Sequence, residues 1–380
     1  MNTLPAENYP VEEPVLDQER QRTAREYSRI RRRLGFGEML LSLGLLLLLI
    51  FSGISSWFTG LLNLPFIARV GLYFLALMAA YELLTFPLGF YSGYTLPHRY
   101  GISVQKLKSW LADLAKSAVL GLVLGLAAIA VVYWLFQSFP DFWWLLAWLL
   151  VLAVSLLMSV IAPVLLVPLF YKMKPLTDAG LKDKLERLAR KAGAAVNGVF
   201  ILDFSTKVTS ANAGLMGLGR TRRIVISDTL LKQYSTPEIE VITAHELGHH
   251  HNRDISRLFI IQSVLYLILF KIADIVLKAT VAPLEFHGIA DPATLPWLIL
   301  IFGVLTTLIS PLTNTYTRHV EGQADRFALR LTDNPRAFIN AMTRLTNQNL
   351  AIASPAGWEE ILFYDHPSYS KRVQMAREHH

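Results

Sequence analysis

The five residues HELGH, from His245 to His249, combine two imidazoles and a carboxylate within about one turn of helix. The two histidines are four residues apart, so on a helix they project from the same face and can bind one zinc ion. Glu246 follows the first histidine, where its carboxylate can accept a proton from the water that attacks a carbonyl group. The alternative is a chance match on a histidine-rich surface helix, since His250 and His251 follow directly.

A catalytic zinc site needs a third protein ligand and an open position for water. The extended pattern HExxHxxGxxH would supply that ligand, but Asn252 and Ile255 occupy the positions that require glycine and histidine. The run HVEGQADRFAL offers a carboxylate instead, and Glu321 is the predicted third ligand. Asp325 lies four residues further on the same helix face and is predicted to orient a ligand histidine through a hydrogen bond. Taken alone, this acidic pair also fits a solvated helix surface.

Composition predicts a membrane protein with several spans. The 380 residues are 53% hydrophobic and only 17% charged, and apolar runs long enough to cross a bilayer recur. The chain has no cysteine, so a metal must be held by histidine and carboxylate side chains. Six spans are predicted, at about 37–58, 66–91, 118–138, 142–171, 255–282 and 296–317.

The distribution of lysine and arginine predicts how the spans are oriented. Much of the net charge of +7 comes from the stretch 20–33, and the loop 92–117 and the segment after span four are also basic. The alternate connections contain no lysine or arginine: 59–65, 139–141 and 283–295. Basic loops face the cytoplasm, so both termini and the polar segments are predicted there. The charge thus indicates topology, and no nucleic-acid partner is expected.

The predicted fold class is mainly α: a polytopic membrane helical bundle with a small cytoplasmic α+β zinc-metalloprotease domain. The polar unit after span four reads as a helix at about 178–193, short β-rich runs, and then the HELGH helix. No proline follows that helix until position 283, which allows it to continue directly into span five. The predicted segments are the N-terminal segment 1–36, four spans in 37–171, the α+β unit 172–254, the hairpin 255–317 and the C-terminal segment 318–380.

The membrane hairpin is the reason to pair the two motifs. Glu321 lies 72 residues beyond His249, and most of that interval is spans five and six. A hairpin returns the chain to the side it left, so HELGH before it and EGQAD after it are predicted to meet at one membrane face, on the cytoplasmic side.

In this order, the motifs resemble those of the type I CAAX prenyl proteases and their prokaryotic relatives. The resemblance covers the chain from about residue 65 and rests on these runs: APVLLVPLFYKMKPL (162–176), SANAGLMGLGRTRRIVISDTLL (210–231), HELGHH, EGQAD and DHPSYSKR (365–372). It implies a membrane zinc endopeptidase with one zinc ion per chain. It also implies a ring of membrane helices around a water-filled chamber.

The resemblance further implies roles for four residues outside the zinc motifs. Asn212 and Ala213 match an edge strand that pairs with an extended substrate. His366 and Arg372 match a polar pair near the zinc, which would stabilise the oxyanion or anchor a substrate carboxylate. The expected partners are the lipid bilayer and a peptide or protein substrate, with lipidation of the substrate and oligomeric state left open.

Two other functions remain open from sequence. The chain could be a heat-shock-type membrane protease for quality control, although such proteases usually have fewer spans. It could also be a transporter or receptor with a structural zinc site, for which His250, His251 and His319 are spare ligands; Glu246 argues against this. The expected location is the inner membrane of a bacterium or the endoplasmic reticulum of a eukaryote.

Overall fold

The chain folds into long helices and one small sheet. The structure is a computed structural model, and it describes residues 14–217 and 219–379. The helices before residue 172 are α1 (Gln18–Phe51), α2 (Ile54–Leu61), α3 (Phe66–Phe90), α4 (Leu96–Arg99), α5 (Leu107–Ser138), α6 (Trp143–Ile161) and α7 (Val167–Phe170).

The second part of the chain contains the sheet and eight further helices among the described residues. The four strands are β1 (Met173–Pro175), β2 (Val199–Leu202), β3 (Ala213–Met216) and β4 (Arg223–Ser227). The helices are α8 (Ala179–Lys191), α9 (Asp228–Gln233), α10 (Thr236–His251), α11 (Asp254–Thr280), α12 (Leu295–Thr332), α13 (Pro335–Gln348), α14 (Gly357–Phe363) and α15 (Tyr369–Arg377).

Six helical segments of the described chain are long and apolar enough to cross a membrane, which confirms the predicted number of spans. The first span ends earlier than predicted, because α1 stops at Phe51 and Gly53 adopts a left-handed conformation (φ 73°) before the short α2. Span four contains a π-helical turn between α6 and α7, Ala162–Leu166, which includes Pro163.

The spanning helices form a closed ring. Each contacts two neighbours, in the order α1, α3, α5, α6, α11, α12 and back to α1. At most 22% of the most apolar stretch of any of these segments is buried, whereas helices of a tightly packed bundle bury a full stripe of residues. Large buried side chains concentrate at the end of the ring remote from the sheet, where Tyr133, Phe136 and Trp143 lie. The arrangement agrees with the predicted ring of helices.

The sheet and its surrounding helices form a cap at the other end of the ring. We use "cap" for the elements from β1 to α10, the last turns of α12, and α13 to α15. The strand order is β1-β2-β4-β3, with β2 and β4 parallel and the other pairs antiparallel. Strand β3 therefore has one unpaired side, and the β-rich unit is confirmed with β1 as an unpredicted fourth strand. The cap core packs α10 against α8, α12 and α13.

Helix α10 does not continue into the membrane as one helix. It ends at His251, and Arg253 adopts a left-handed conformation (φ 57°) before α11 begins at Asp254. The absence of proline was therefore an insufficient signal for continuity, because a single residue at positive φ also ends a helix. The break matters for function because it places Asp254 beside the end of the HELGH helix.

Candidate metal centre

Helix α10 is held firmly in the cap core. At its start, the Glu238 carboxylate accepts a hydrogen bond of 2.7 Å from the Ser235 N–H and another of 2.9 Å from Arg344 Nε. Such a capping arrangement satisfies donors at the helix start that have no partner within the helix. Buried side chains lie around most of the helix, including Val241, Ala244 and Leu247. The HELGH residues thus stand on a rigid element.

Gly248 allows α10 to cross α12 closely. A Cβ atom at this position would lie 3.1 Å from Ala324 Cα and 3.2 Å from both the Ala324 carbonyl oxygen and Phe327 Cδ1. These distances are tighter than ordinary van der Waals contact. The glycine of HELGH therefore brings the backbone of α10 against the EGQAD segment of α12, and the side chains flanking the contact meet.

The crossing brings together the three side chains predicted as metal ligands. One ligand atom each from His245, His249 and Glu321 lies within 4.8 Å of the others. The Nε2 atom of His245 is 3.1 Å from Glu321 Oε2, and the Nε2 atom of His249 is 3.5 Å from Glu321 Oε1. Glu321 thus lies beside the two histidines, as the return of the membrane hairpin predicts.

Hydrogen bonds at the opposite ring nitrogens assign the histidine tautomers. His245 Nδ1 lies 2.8 Å from Asp325 Oδ1, and His249 Nδ1 lies 3.0 Å from Asp254 Oδ2. Since carboxylates accept, each Nδ1 carries a proton, which leaves Nε2 as the atom whose lone pair a metal would bind. Glu321 Oε2 is buried and has no hydrogen-bond donor within the described chain. Three acceptors converging without a donor fit a metal cation.

Asp254 is a site residue that the sequence analysis missed. It is 1% exposed, and it orients His249 as Asp325 orients His245. The available signal was an aspartate five residues after His249, just where the membrane helix begins. It could not be used because the predicted continuous helix would place Asp254 about 140° away from the face of His249.

Arg372 reaches the site through Asp325. Its Nε donates to Asp325 Oδ2 at 2.8 Å, and its Nη2 donates to Asp325 Oδ1. Such paired hydrogen bonds between a guanidinium and a carboxylate fix geometry as well as charge. Asp325 is fully buried, at 0% exposure. The arginine therefore anchors the carboxylate that orients His245.

Glu246 faces a cavity of 350 Å³ beside the ligands. Burial raises the pKa of the Glu246 carboxyl above its ordinary value, although His245 and His249 act in the opposite direction. A carboxylate with a raised pKa can both accept and return a proton near neutral pH. The open cavity distinguishes this centre from a closed structural metal site.

The remaining predicted residues line the same cavity: Asn212, Ala213, His366 and Arg372. His366 is half exposed, with its Nε2 3.3 Å from Glu321 Oε2 and its Nδ1 2.8 Å from Asp365 Oδ1. Ala213 belongs to the edge strand β3, and Asn212 immediately precedes it. Six of the nine predicted site residues thus line one cavity, and the other three, His249, Glu321 and Asp325, lie beside His245, while their roles stay predictions.

Two family models cover almost the whole chain. Residues 5–172 match the CAAX prenyl protease N-terminal region, described as five membrane helices, and residues 175–380 match peptidase family M48. Before residue 172 the described chain has four candidate spans, one fewer than that description. The fifth helix of the description has no long apolar counterpart there.

Individual relatives align with this chain over most of their length. An uncharacterized metalloprotease, YhfN of Bacillus subtilis, is 30% identical over 361 residues, covering 93% of this chain and 84% of the relative. A CAAX prenyl protease 1 homolog of Arabidopsis thaliana is 27% identical over 374 residues, covering 95% and 88%. The crystal structure of S. mikatae Ste24p has a TM-score of 0.82 at 25% identity, covering 94% and 88%. This multi-pass membrane chain therefore belongs to peptidase family M48 and is a metallopeptidase similar to the CAAX prenyl proteases.

Proposed function

We propose that this protein is a zinc endopeptidase whose active site faces the cytoplasm at the membrane surface. His245, His249 and Glu321 would hold one zinc ion per chain. Bound zinc would polarise the scissile carbonyl and increase the acidity of water. The observation that carries the proposal is the meeting of these three ligands with Glu246 at one open cavity.

The other residues of the centre have separate tasks. Glu246 accepts the proton of the attacking water and returns it to the leaving amine, as its raised pKa suits. Asp325 and Asp254 keep the protons of both histidines on Nδ1. His366 is the oxyanion donor in this proposal. Its Nδ1 is hydrogen-bonded to Asp365, so Nε2 donates only in the protonated ring, and although burial opposes it, Asp365 and Glu321 raise the pKa of the His366 imidazole. Arg372, predicted with it, acts by holding Asp325 in place.

The unpaired side of β3 would bind the substrate as an added strand. Ser227 N–H donates to the Asn212 carbonyl oxygen at 2.9 Å, so Asn212 faces β4. Since antiparallel strands alternate, the main-chain groups of Ala213 and Leu215 face the unpaired side. An extended peptide paired there would pass the cavity that Glu246 lines.

The cytoplasmic orientation of the centre rests on the charges of the loops. Every connection on the side of the cap is basic, and the three short connections on the other side contain no lysine or arginine. A cysteine introduced into the cap of this cysteine-free chain, at exposed Lys184, should therefore react with an impermeant maleimide only after the membrane is opened. Labelling of intact cells would place the centre on the other side.

The substrate class is proposed from the relatives. CAAX prenyl protease relatives match over most of the chain, which favours this class over a heat-shock-type protease. The first substrate to test is a fluorescent S-farnesylated peptide ending in Cys-aliphatic-aliphatic-Ser. Its unprenylated form and an unfolded membrane protein are the comparison substrates, and preferred cleavage of the unfolded protein would favour quality control.

The decisive variant is Glu246→Gln in the purified protein. Zinc content should stay at one per chain while peptide cleavage falls by about 10³-fold or more, because a general base is lost and the ligands remain. Glu240→Gln, on the same helix, is the matched control and should keep full activity. Unchanged cleavage by Glu246→Gln would contradict the role of Glu246 as general base.

A structural zinc site is tested by replacing His245 and His249 together with alanine. An enzyme centre should lose zinc and activity while the helical circular dichroism and monodisperse elution persist. Collapse of the fold on losing zinc would favour a transporter or receptor with a structural site.

A further inference from the structure

The first turns of α1 contact a turn that lines the active-site cavity. Helix α1 extends beyond the membrane portion of the ring and lies against residues 347–353. Asn349, Ala351 and Ile352 of this turn line the cavity with Glu246. The N-terminal helix therefore reaches the substrate cleft through one intermediate segment.

Gln21 is the main contact from α1. Its amide nitrogen donates to the Ala351 carbonyl oxygen at 3.0 Å, and its amide oxygen accepts from the Ala353 N–H at 2.9 Å. The side chain is only 6% exposed. One turn earlier along the cleft segment, Arg20 Nε donates to the Asn347 carbonyl oxygen at 2.9 Å. Helix α1 thus holds the turn on both sides of Asn349.

The held turn is strained. Leu350 has a left-handed backbone (φ 50°), which is unfavourable for a residue with a Cβ atom. Its side chain is 5% exposed and packs in a small cluster with Ala24 and Ile352. A strained conformation persists only where its surroundings enforce it, and here α1 supplies part of those surroundings through Ala24, together with Tyr100 and Ile102.

The turn presents Asn349 to the edge at which the substrate is proposed to bind. The Ala211 N–H donates to Asn349 Oδ1 at 3.1 Å, and Asn349 Nδ2 donates to the Ala211 carbonyl oxygen at 3.3 Å. Ala211 has the same parity as Ala213, so both face the unpaired side of the edge. The Asn349 side-chain amide thus bonds both main-chain groups of Ala211, as a neighbouring strand would. The next main-chain groups that face the unpaired side are those of Ala213, where the proposed substrate edge begins.

We propose that α1 positions the substrate edge: Gln21 holds the turn at Leu350, and Asn349 on that turn fixes the edge at Ala211 and ends it there. The inference rests on the proposed function, since it assigns Gln21 and Asn349 as positioning residues for peptide binding. It predicts that two residues far from the metal set the affinity for the peptide without affecting metal binding.

The first test needs no substrate. Hydrogen–deuterium exchange of the segment 209–216 should be faster by about tenfold in Gln21→Ala and in Asn349→Ala than in the parent protein, because each substitution removes two hydrogen bonds along the same chain of contacts. Gln18→Ala is the matched control, since Gln18 is exposed on the same helix. Unchanged exchange in Gln21→Ala would overturn the proposal.

The second test measures binding in the Glu246→Gln background with the farnesylated peptide described above. The Kd should rise about fivefold to tenfold for Gln21→Ala and for Asn349→Ala. It should rise less for Asn349→Asp, which keeps the acceptor for Ala211 N–H. The Kd of the double variant, Gln21→Ala with Asn349→Ala, should equal that of Asn349→Ala alone, because the effects of residues that act in series do not add.

The outcomes separate the two proposals. Loss of bound zinc, or of helical circular dichroism, in Gln21→Ala would assign the contact to stability and overturn this inference. A double variant whose rise in Kd equals the product of the two single rises would also overturn it. A failure of the proposed function would appear instead in the parent protein, as absence of cleavage that depends on Glu246, and the exchange test would still decide the role of Gln21.

Discussion

The two histidines proposed as zinc ligands are each hydrogen-bonded to a carboxylate, and the two carboxylates lie in unlike surroundings. Asp325, which holds His245, lies inside the cap core and is itself held by two hydrogen bonds from Arg372. Asp254, which holds His249, lies at the junction of the cap and the membrane hairpin. Its second oxygen has no hydrogen-bond partner within the described chain, and the nearest cation, Arg257, is 3.9 Å away. One ligand is thus coupled to the cap core and the other to the membrane helices.

The Asp325→Ala substitution should have the largest effect on this pair of anchors. Zinc affinity should fall by about 100-fold, the upper range for an outer-shell carboxylate. The free energy of unfolding should fall by about 3–5 kcal/mol, because a buried Arg372 loses its partner. Competitive zinc titration and thermal unfolding measure the two effects.

A double substitution separates those two effects. Asp325→Ala with Arg372→Met removes the unpaired charge, so stability should largely return while zinc affinity stays low. Recovery of zinc affinity in the double variant would show that Asp325 serves the fold and does not orient His245.

The Asp254→Ala substitution should have a smaller effect. Zinc affinity should fall by about tenfold, the lower range for such partners, and stability should change little because Arg257 is exposed enough to be solvated. The same titration measures it. A fall in zinc affinity as large as that of Asp325→Ala would show that the two carboxylates contribute equally.

The Gly248→Ala substitution should have the smallest effect on zinc. The added methyl group must push α10 from α12 by a few tenths of an ångström, which costs about 1–3 kcal/mol of stability, and zinc affinity should fall a few-fold. Gly322→Ala is the matched control, since its nearest atom would be 4.0 Å away. That control should be stable or slightly stabilised, because alanine favours helix. Equal stability losses in the two variants would exclude close packing as the reason for glycine.

Local pattern and topology were enough to predict much of this molecule. The six spans follow from apolar length, and the position of Glu321 follows from a hairpin that must return to its starting side. Neither inference needs side-chain packing. The pairing of Asp325 with His245 was also predictable, because both the helix period and the zinc chemistry demand such a partner.

The missed features depend on packing and on single backbone angles. Asp254 joins the site only because Arg253 adopts a left-handed conformation, for which an arginine gives no sequence signal. Gly248 matters only where α12 crosses it. The pairing of Arg372 with Asp325 joins residues 47 positions apart, with α13 and α14 between them in the chain. The contact of Gln21 with Ala353 spans 332 positions. Periodicity within one element cannot reveal such contacts.

The continuity of α12 has a practical consequence. It runs without interruption from Leu295 in the ring to Thr332 in the cap, and Glu321 lies in its cap portion. The ligand histidines precede the membrane hairpin and Glu321 follows it, so no cut at the membrane surface yields a water-soluble fragment with all three ligands on one continuous chain. A detergent that loosens the ring of helices would therefore also move the proposed ligand Glu321, and the zinc content of the purified protein should fall with it.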